Sequence, residues 1–129
     1  MTGRRLQAAG LVALVAAGSP VFAAEKSATH SFSGVAAYYD TNYHGRTAAG
    51  ETYDPRKFTA AHRTLPFGTR LKVTDRRTGR SVEVTVNDRG PFTRGRVLDL
   101  SLAAAKQLRM LGRGLVRVTA DIEPTSSSR

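Results

Sequence analysis

The chain predicts a small, mostly β domain with a single helix, and three features carry that reading. The runs 70–74 and 81–86 alternate apolar and polar residues with period two, the pattern of half-buried strands. Asp75-Arg76-Arg77-Thr78-Gly79 lies between them as a hairpin turn. One helical stripe, over 102–111, precedes a last apolar run at 114–122. At 129 residues, with no internal repeat, the chain has room for one domain.

Residues 1–23 have the plan of a secretory signal peptide. Arg4 and Arg5 form the positive region, Leu11 to Ala17 the apolar region, and Val21-Phe22-Ala23 the small-residue cleavage site. The apolar run is too short for a stable bilayer span. Cleavage after Ala23 would release a soluble protein into the periplasm or the extracellular wall, without a stable membrane anchor. Residues 24–32 form a polar, flexible leader before a domain over 33–123, and 124–129 are a polar tail.

Within the domain, 33–39 is the first strand, rich in small and aromatic residues that suit a sheet. A long loop, 40–53, carries His44, Arg46 and Glu51, and long loops in compact domains are usually functional or disordered. The central hairpin follows, then a short apolar strand at 97–100. Ser101 is placed to cap the helix, whose apolar stripe runs through Leu102, Ala105, Leu108 and Met110 or Leu111, with Gly112 as its stop.

Composition narrows the chemistry. With no cysteine, the chain has neither a disulfide framework nor a thiolate metal site. Its 20 Lys+Arg against 10 Asp+Glu, a formal charge of +10, call for an anionic partner. Export and the lack of aromatics interleaved with basic residues argue against nucleic acid. The three histidines, at 30, 44 and 62, lack His-x-x-x-His spacing, so no zinc site is expected. Neither a Gly-x-Ser-x-Gly motif nor a phosphate-binding loop is present.

What remains is carboxylate chemistry. The hairpin puts His62 before one strand and Asp88 after the other, at the same end of an antiparallel pair. Asp88, in Asn87-Asp88-Arg89-Gly90-Pro91, reads equally as a local Asx-turn or as an acid–base group. His62 is either a half-buried histidine bonded to backbone or a group that tunes a carboxylate. Glu51 has the default of a solvated loop glutamate. Asp99 interrupts an apolar strand and reads as structural, paired with an arginine or capping the helix, and stands as the reserve acid.

The same residues identify a family. From Gly34 to Ile122 the chain resembles the RlpA-like (rare lipoprotein A) double-psi β-barrels, which include septal lytic transglycosylases. The resemblance rests on Ala37-Tyr38-Tyr39, on the stretch from His44 to Glu51, and on Leu65-Pro66-Phe67-Gly68-Thr69. Val86 to Phe92 and Asp99-Leu100-Ser101 complete it, in the family's order. It implies a six-stranded barrel and a groove for peptidoglycan glycan strands, with Glu51, His62 and Asp88 at the catalytic positions. Tyr39, Arg63 and Arg89 are then expected to contact the glycan, and no cofactor is implied. The activity implied is cleavage of the MurNAc–GlcNAc bond to 1,6-anhydroMurNAc ends by a monomer, with stem-peptide-free glycan preferred. The competing readings are a non-catalytic, expansin-like wall-binding module and a hydrolase. Many members carry a lipobox cysteine and a C-terminal SPOR repeat that this sequence lacks, so septal targeting is not carried over.

Overall fold

The structure, a computed structural model, describes residues 30–124. The expected signal peptide, the leader up to residue 29 and the tail from 125 lie outside the described residues. The elements in order are β1 (Ser31–Tyr38), β2 (Thr59–Ala61), β3 (Arg70–Asp75) and β4 (Ser81–Asp88), then β5 (Arg96–Leu100), α1 (Leu102–Gln107) and β6 (Val116–Ile122). The strands close into a barrel in the order β1-β5-β2-β4-β3-β6. Closure leaves no unpaired sheet edge.

The central hairpin forms as its periodicity predicts. Leu71 pairs with Val84 and Val73 with Val82, and these four side chains, with Val86, fill the barrel interior. Leu98, Leu100 and Val118 meet them from β5 and β6, and Ala105, Leu108 and Met110 from α1 and the turn after it. Each fully buried Leu or Val contributes about 1.5–3 kcal/mol of transfer free energy. At the hairpin turn, the wholly buried Asp75 accepts from the Arg77 N–H at 2.8 Å and pairs with Arg113.

Three local expectations change. Thr59-Ala60-Ala61 forms a strand, although three small residues show no alternation that could reveal it. The helix ends at Gln107 rather than 111, because Arg109 takes a left-handed φ of 56° and turns the chain so that Met110 is buried while Leu111 is exposed. β1 starts at Ser31, so Ser31 and Phe32 belong to the sheet rather than to a leader. Ser101 caps α1 as expected, accepting from the Ala104 N–H at 3.3 Å, and its Oγ also accepts from the Thr59 N–H.

Candidate active site

Asp88 ends β4, and the pairing of that strand explains how it is presented. Against β2, Ala60 faces Val86 but Ala61 faces Asp88, so Asn87 is an extra residue on β4. Such a bulge re-aims the side chains beside it. The parallel β2–β4 ladder also carries His62 to Asp88, with the His62 N–H donating to the Asp88 carbonyl at 3.1 Å. The juxtaposition read from the sequence is therefore present, but β2 makes it and not the β3–β4 hairpin.

The Asp88 carboxylate has three donors. Oδ1 accepts the backbone N–H of Ala48 at 2.7 Å and that of Arg89 at 2.9 Å, and Oδ2 accepts the Tyr39 hydroxyl at 2.5 Å. Two donors occupy both lone-pair directions of Oδ1, whereas one of those on Oδ2 stays open among the described residues. Burial, followed by the bond to Asp88 and its charge, pushes the Tyr39 phenol well above its ordinary range. Tyr39 therefore keeps its proton and acts toward Asp88 as a fixed donor.

Tyr39 is itself held by aromatic packing. Its ring stacks on Tyr53 at 4.3 Å and 13°, and Tyr43 packs against both. Tyr53 is buried, and its hydroxyl accepts the Leu102 N–H at 3.0 Å, which ties the stack to the first turn of α1. A Cβ on Gly45 would meet the hydroxyl end of Tyr43, so a larger residue there would push that side chain aside.

The long loop is folded onto this carboxylate. Arg46 and Thr52 form a β-bridge, Thr47 N–H donates to the Glu51 carbonyl at 2.7 Å, and Gly50 turns the chain at φ 95°. The turn delivers the Ala48 N–H to Asp88 and the Glu51 carboxylate to Asn87, whose Nδ2 donates to Oε1 at 2.9 Å. Glu51 is therefore bonded to the residue preceding Asp88, while Asn87 Oδ1 is buried and has no partner among the described residues.

The His62 ring faces its own turn. Nδ1 accepts from the N–H groups of Thr64 and Leu65, each at 3.1 Å, and the ring meets Phe32 edge-on. Burial, then the charges of Arg63 and Arg89, hold its pKa below the usual value. The imidazole is thus neutral near pH 7, with its proton on Nε2. The two arginines brace the surrounding loops. Arg89 Nη1 donates to the carbonyls of His62 and Leu65 at 3.2 and 2.8 Å, and its guanidinium lies 4.0 Å from the Phe67 ring centroid. Arg63 Nη1 donates to the carbonyls of Pro91 and Arg96 at 2.8 and 3.0 Å. Asp99 pairs with Arg96 at 3.1 Å, in keeping with its structural reading.

Of the seven candidate residues, five thus sit within one or two bonds of Asp88 or are Asp88 itself, Arg63 braces the loop that follows, and Asp99 pairs with Arg96. Ala48, Tyr53 and Asn87 had not been singled out. Ala48 and Asn87 act through a main-chain donor and a bulge that no residue type announces. A separate shallow concavity, lined by Phe58, Lys72, Val82, Glu83 and Gln107, shares no residue with the site, and its Glu83 is already bound to Arg70.

The closed strand order and the bulged carboxylate define the class: a double-psi β-barrel that presents a carboxylate at a strand end. The chain belongs to the family described as "Lytic transglycolase", whose model matches residues 31–120. It is similar to the "Probable endolytic peptidoglycan transglycosylase RlpA" of Nostoc sp., 55% identical over 95 residues, covering 71% of this chain and 26% of that one. The "Endolytic peptidoglycan transglycosylase RlpA" of Pseudomonas aeruginosa is 52% identical over 93 residues, covering 70% and 27%. The chain spans about a quarter of the length of these relatives. Among solved structures, the "Streptomyces papain inhibitor (SPI)" superposes with a TM-score of 0.61 at 27% identity, covering 74% of this chain and 96% of that one. An apo expansin of Clavibacter michiganensis shares the fold, with a TM-score of 0.60 at 21% identity over 76% of this chain and 52% of that one.

Proposed function

We propose that the protein is an exported lytic transglycosylase that cleaves the MurNAc–GlcNAc bond of peptidoglycan, with Asp88 as its acid and then its base. The observation that carries this is the bonding of the Asp88 carboxylate: among the described residues, Oδ1 is filled by two N–H groups and Oδ2 holds only Tyr39. Oδ2 is therefore the atom that takes and gives the proton. In the first step its proton passes to the glycosidic oxygen as the bond from that oxygen to C1 of MurNAc breaks. In the second, the muramic O6 bonds to C1 and its proton returns to Oδ2. No water is consumed, and the sugar ends as the 1,6-anhydro form. Each acid–base step depends on a carboxyl that exchanges its proton at working pH.

The neighbours have separable roles in this reading. Tyr39 fixes the carboxylate and stabilises the ionised product of the first step. Glu51, through Asn87, holds the bulge in register, and the neutral His62 offers Nε2–H to a sugar oxygen. Arg63 and Arg89 keep the flanking loops in place while their charge favours an anionic wall strand. One chain carries every group, so a monomer suffices. The family assignment and the relatives' printed names support peptidoglycan as the substrate. The signal-peptide plan of 1–23 supports export, and 33–123, with Ser31 and Phe32, is read as the catalytic unit.

The test is Asp88→Asn. Asparagine keeps the shape and the acceptor for Ala48 and Arg89 but delivers no proton, so release of soluble fragments from purified peptidoglycan should fall by about 10²–10⁴-fold. Sedimentation with the same peptidoglycan should show binding retained. Cleavage at the parent rate by a folded variant would place the acid elsewhere, with Asp99 the next residue to replace.

A further inference from the structure

Besides the arginines that flank Asp88, the described barrel carries a second cluster of positive charge. The β3–β4 turn carries Arg76, Arg77 and Arg80, and Arg117 stands at the start of β6. The Arg76 N–H donates to the Arg117 carbonyl at 3.0 Å, so these two are neighbours. Arg113, on the loop from α1 to β6, reaches the same turn through its ion pair with Asp75. Among the described residues, Arg76, Arg77, Arg80 and Arg117 take part in no ion pair. Asp75, the acid of the turn itself, is buried and engaged by Arg113.

The loop that joins this cluster exposes two leucines, Leu111 at 39% and Leu115 at 57%. Leu115 and Arg117 point to the same outward side, because the buried Val116 lies between them in an extended run. Leu115 therefore shares its outward side with Arg117, and Leu111 is exposed on the loop just before it.

We propose that this face docks reversibly on an anionic phospholipid bilayer, with the arginines on headgroup phosphates and Leu111 and Leu115 at the boundary of the acyl region. Guanidinium groups match phosphate oxygens in charge and in fork geometry. A hydrated anionic polymer would also neutralise the arginines, but it would leave both leucines in water. A bilayer interface accommodates both kinds of side chain. Two leucines bury little apolar surface, so the contact is reversible and is not an anchor. Asp88 lies at the opposite end of β4 from the arginine turn. This inference does not depend on the catalytic reading.

The experiment uses the full chain with Leu11, Leu14 and Val15 changed to serine, so that the N-terminal apolar run makes no contribution. It is co-sedimented with vesicles of phosphatidylcholine alone or mixed with phosphatidylglycerol. Binding should need phosphatidylglycerol and weaken with salt. Arg76→Gln, Arg77→Gln and Arg117→Gln combined should lower partitioning by about 100-fold, roughly fivefold per arginine. Leu111→Ser with Leu115→Ser, at unchanged charge, should lower it several-fold. Because the chain has no tryptophan, Leu115→Trp supplies a clean reporter whose emission should shift to the blue on phosphatidylglycerol vesicles. Parent-level binding by either combined variant, or a reporter that does not shift, would overturn the proposal. So would leucine-independent binding of equal strength to soluble polyphosphate, which would assign the face to anionic polymers.

Discussion

Tyr39→Phe would keep the stack on Tyr53 and delete only the hydroxyl that Asp88 Oδ2 accepts at 2.5 Å. A hydrogen bond to a charged group is worth about 1.5–3 kcal/mol, so cleavage should slow by roughly 10–100-fold. The variant also separates positioning from mere packing. Because the stack is kept, a loss of cleavage would assign Tyr39 to the carboxylate, and an unchanged rate would mean that Tyr39 acts through the stack alone. At this scale the sequence was informative where chemistry sits in a side chain: Asp88 and His62 stood out as candidate residue types, whereas Glu51 read as a solvated loop glutamate and entered only through the resemblance. It was silent on Ala48, whose contribution is a main-chain N–H, and on Tyr53, whose hydroxyl accepts from the Leu102 N–H.

The β3–β4 turn shows what an element depends on when its polar anchor is buried. Burial pushes the Asp75 carboxyl up, but the bond from Arg113 and those from the Arg77 and Thr78 N–H groups outweigh it, and the net shift is downward. The unfolded chain therefore takes up a proton at this position before the folded chain does. Its stabilising effect is complete above about pH 4 and is lost as pH falls through the lowered folded value. Arg113→Ala, which strands a buried carboxylate, should cost about 3–5 kcal/mol near neutrality by denaturant titration. The gap between variant and parent should narrow in acid, once Asp75 is protonated in both. A gap that stayed constant from neutrality into acid would contradict the ion pair as its cause. The hairpin was readable because its apolar residues alternate over five and six positions. β2 was not, since Thr59-Ala60-Ala61 is strand only because β4 and β5 flank it. The loss of the last helical turn follows likewise from Arg109 and from the pull of Met110 into the core.

For the whole molecule, the closed strand order is not a consequence of any one pattern in the chain. Periodicity reaches two strands and a hairpin, whereas the β1–β5 and β2–β4 parallel ladders join segments about 60 and 26 residues apart. The barrel came from the resemblance, carried by motifs whose turns and polar ends the physics of the chain explains only one by one. Those ladders are also what bring Tyr39, the 45–53 loop and the end of β4 to one carboxylate. The central claim is that this carboxylate serves a reaction in which the sugar's own hydroxyl replaces water. Mass spectrometry of the fragments released from intact and denuded peptidoglycan tests it most directly. The expected ends are 1,6-anhydroMurNAc, about 18 Da (one water) lighter than hydrolysed ends, and more abundant from denuded glycan. Reducing ends alone would mean a hydrolase, and saturable binding without new ends would mean a wall-binding module; either result would contradict the account.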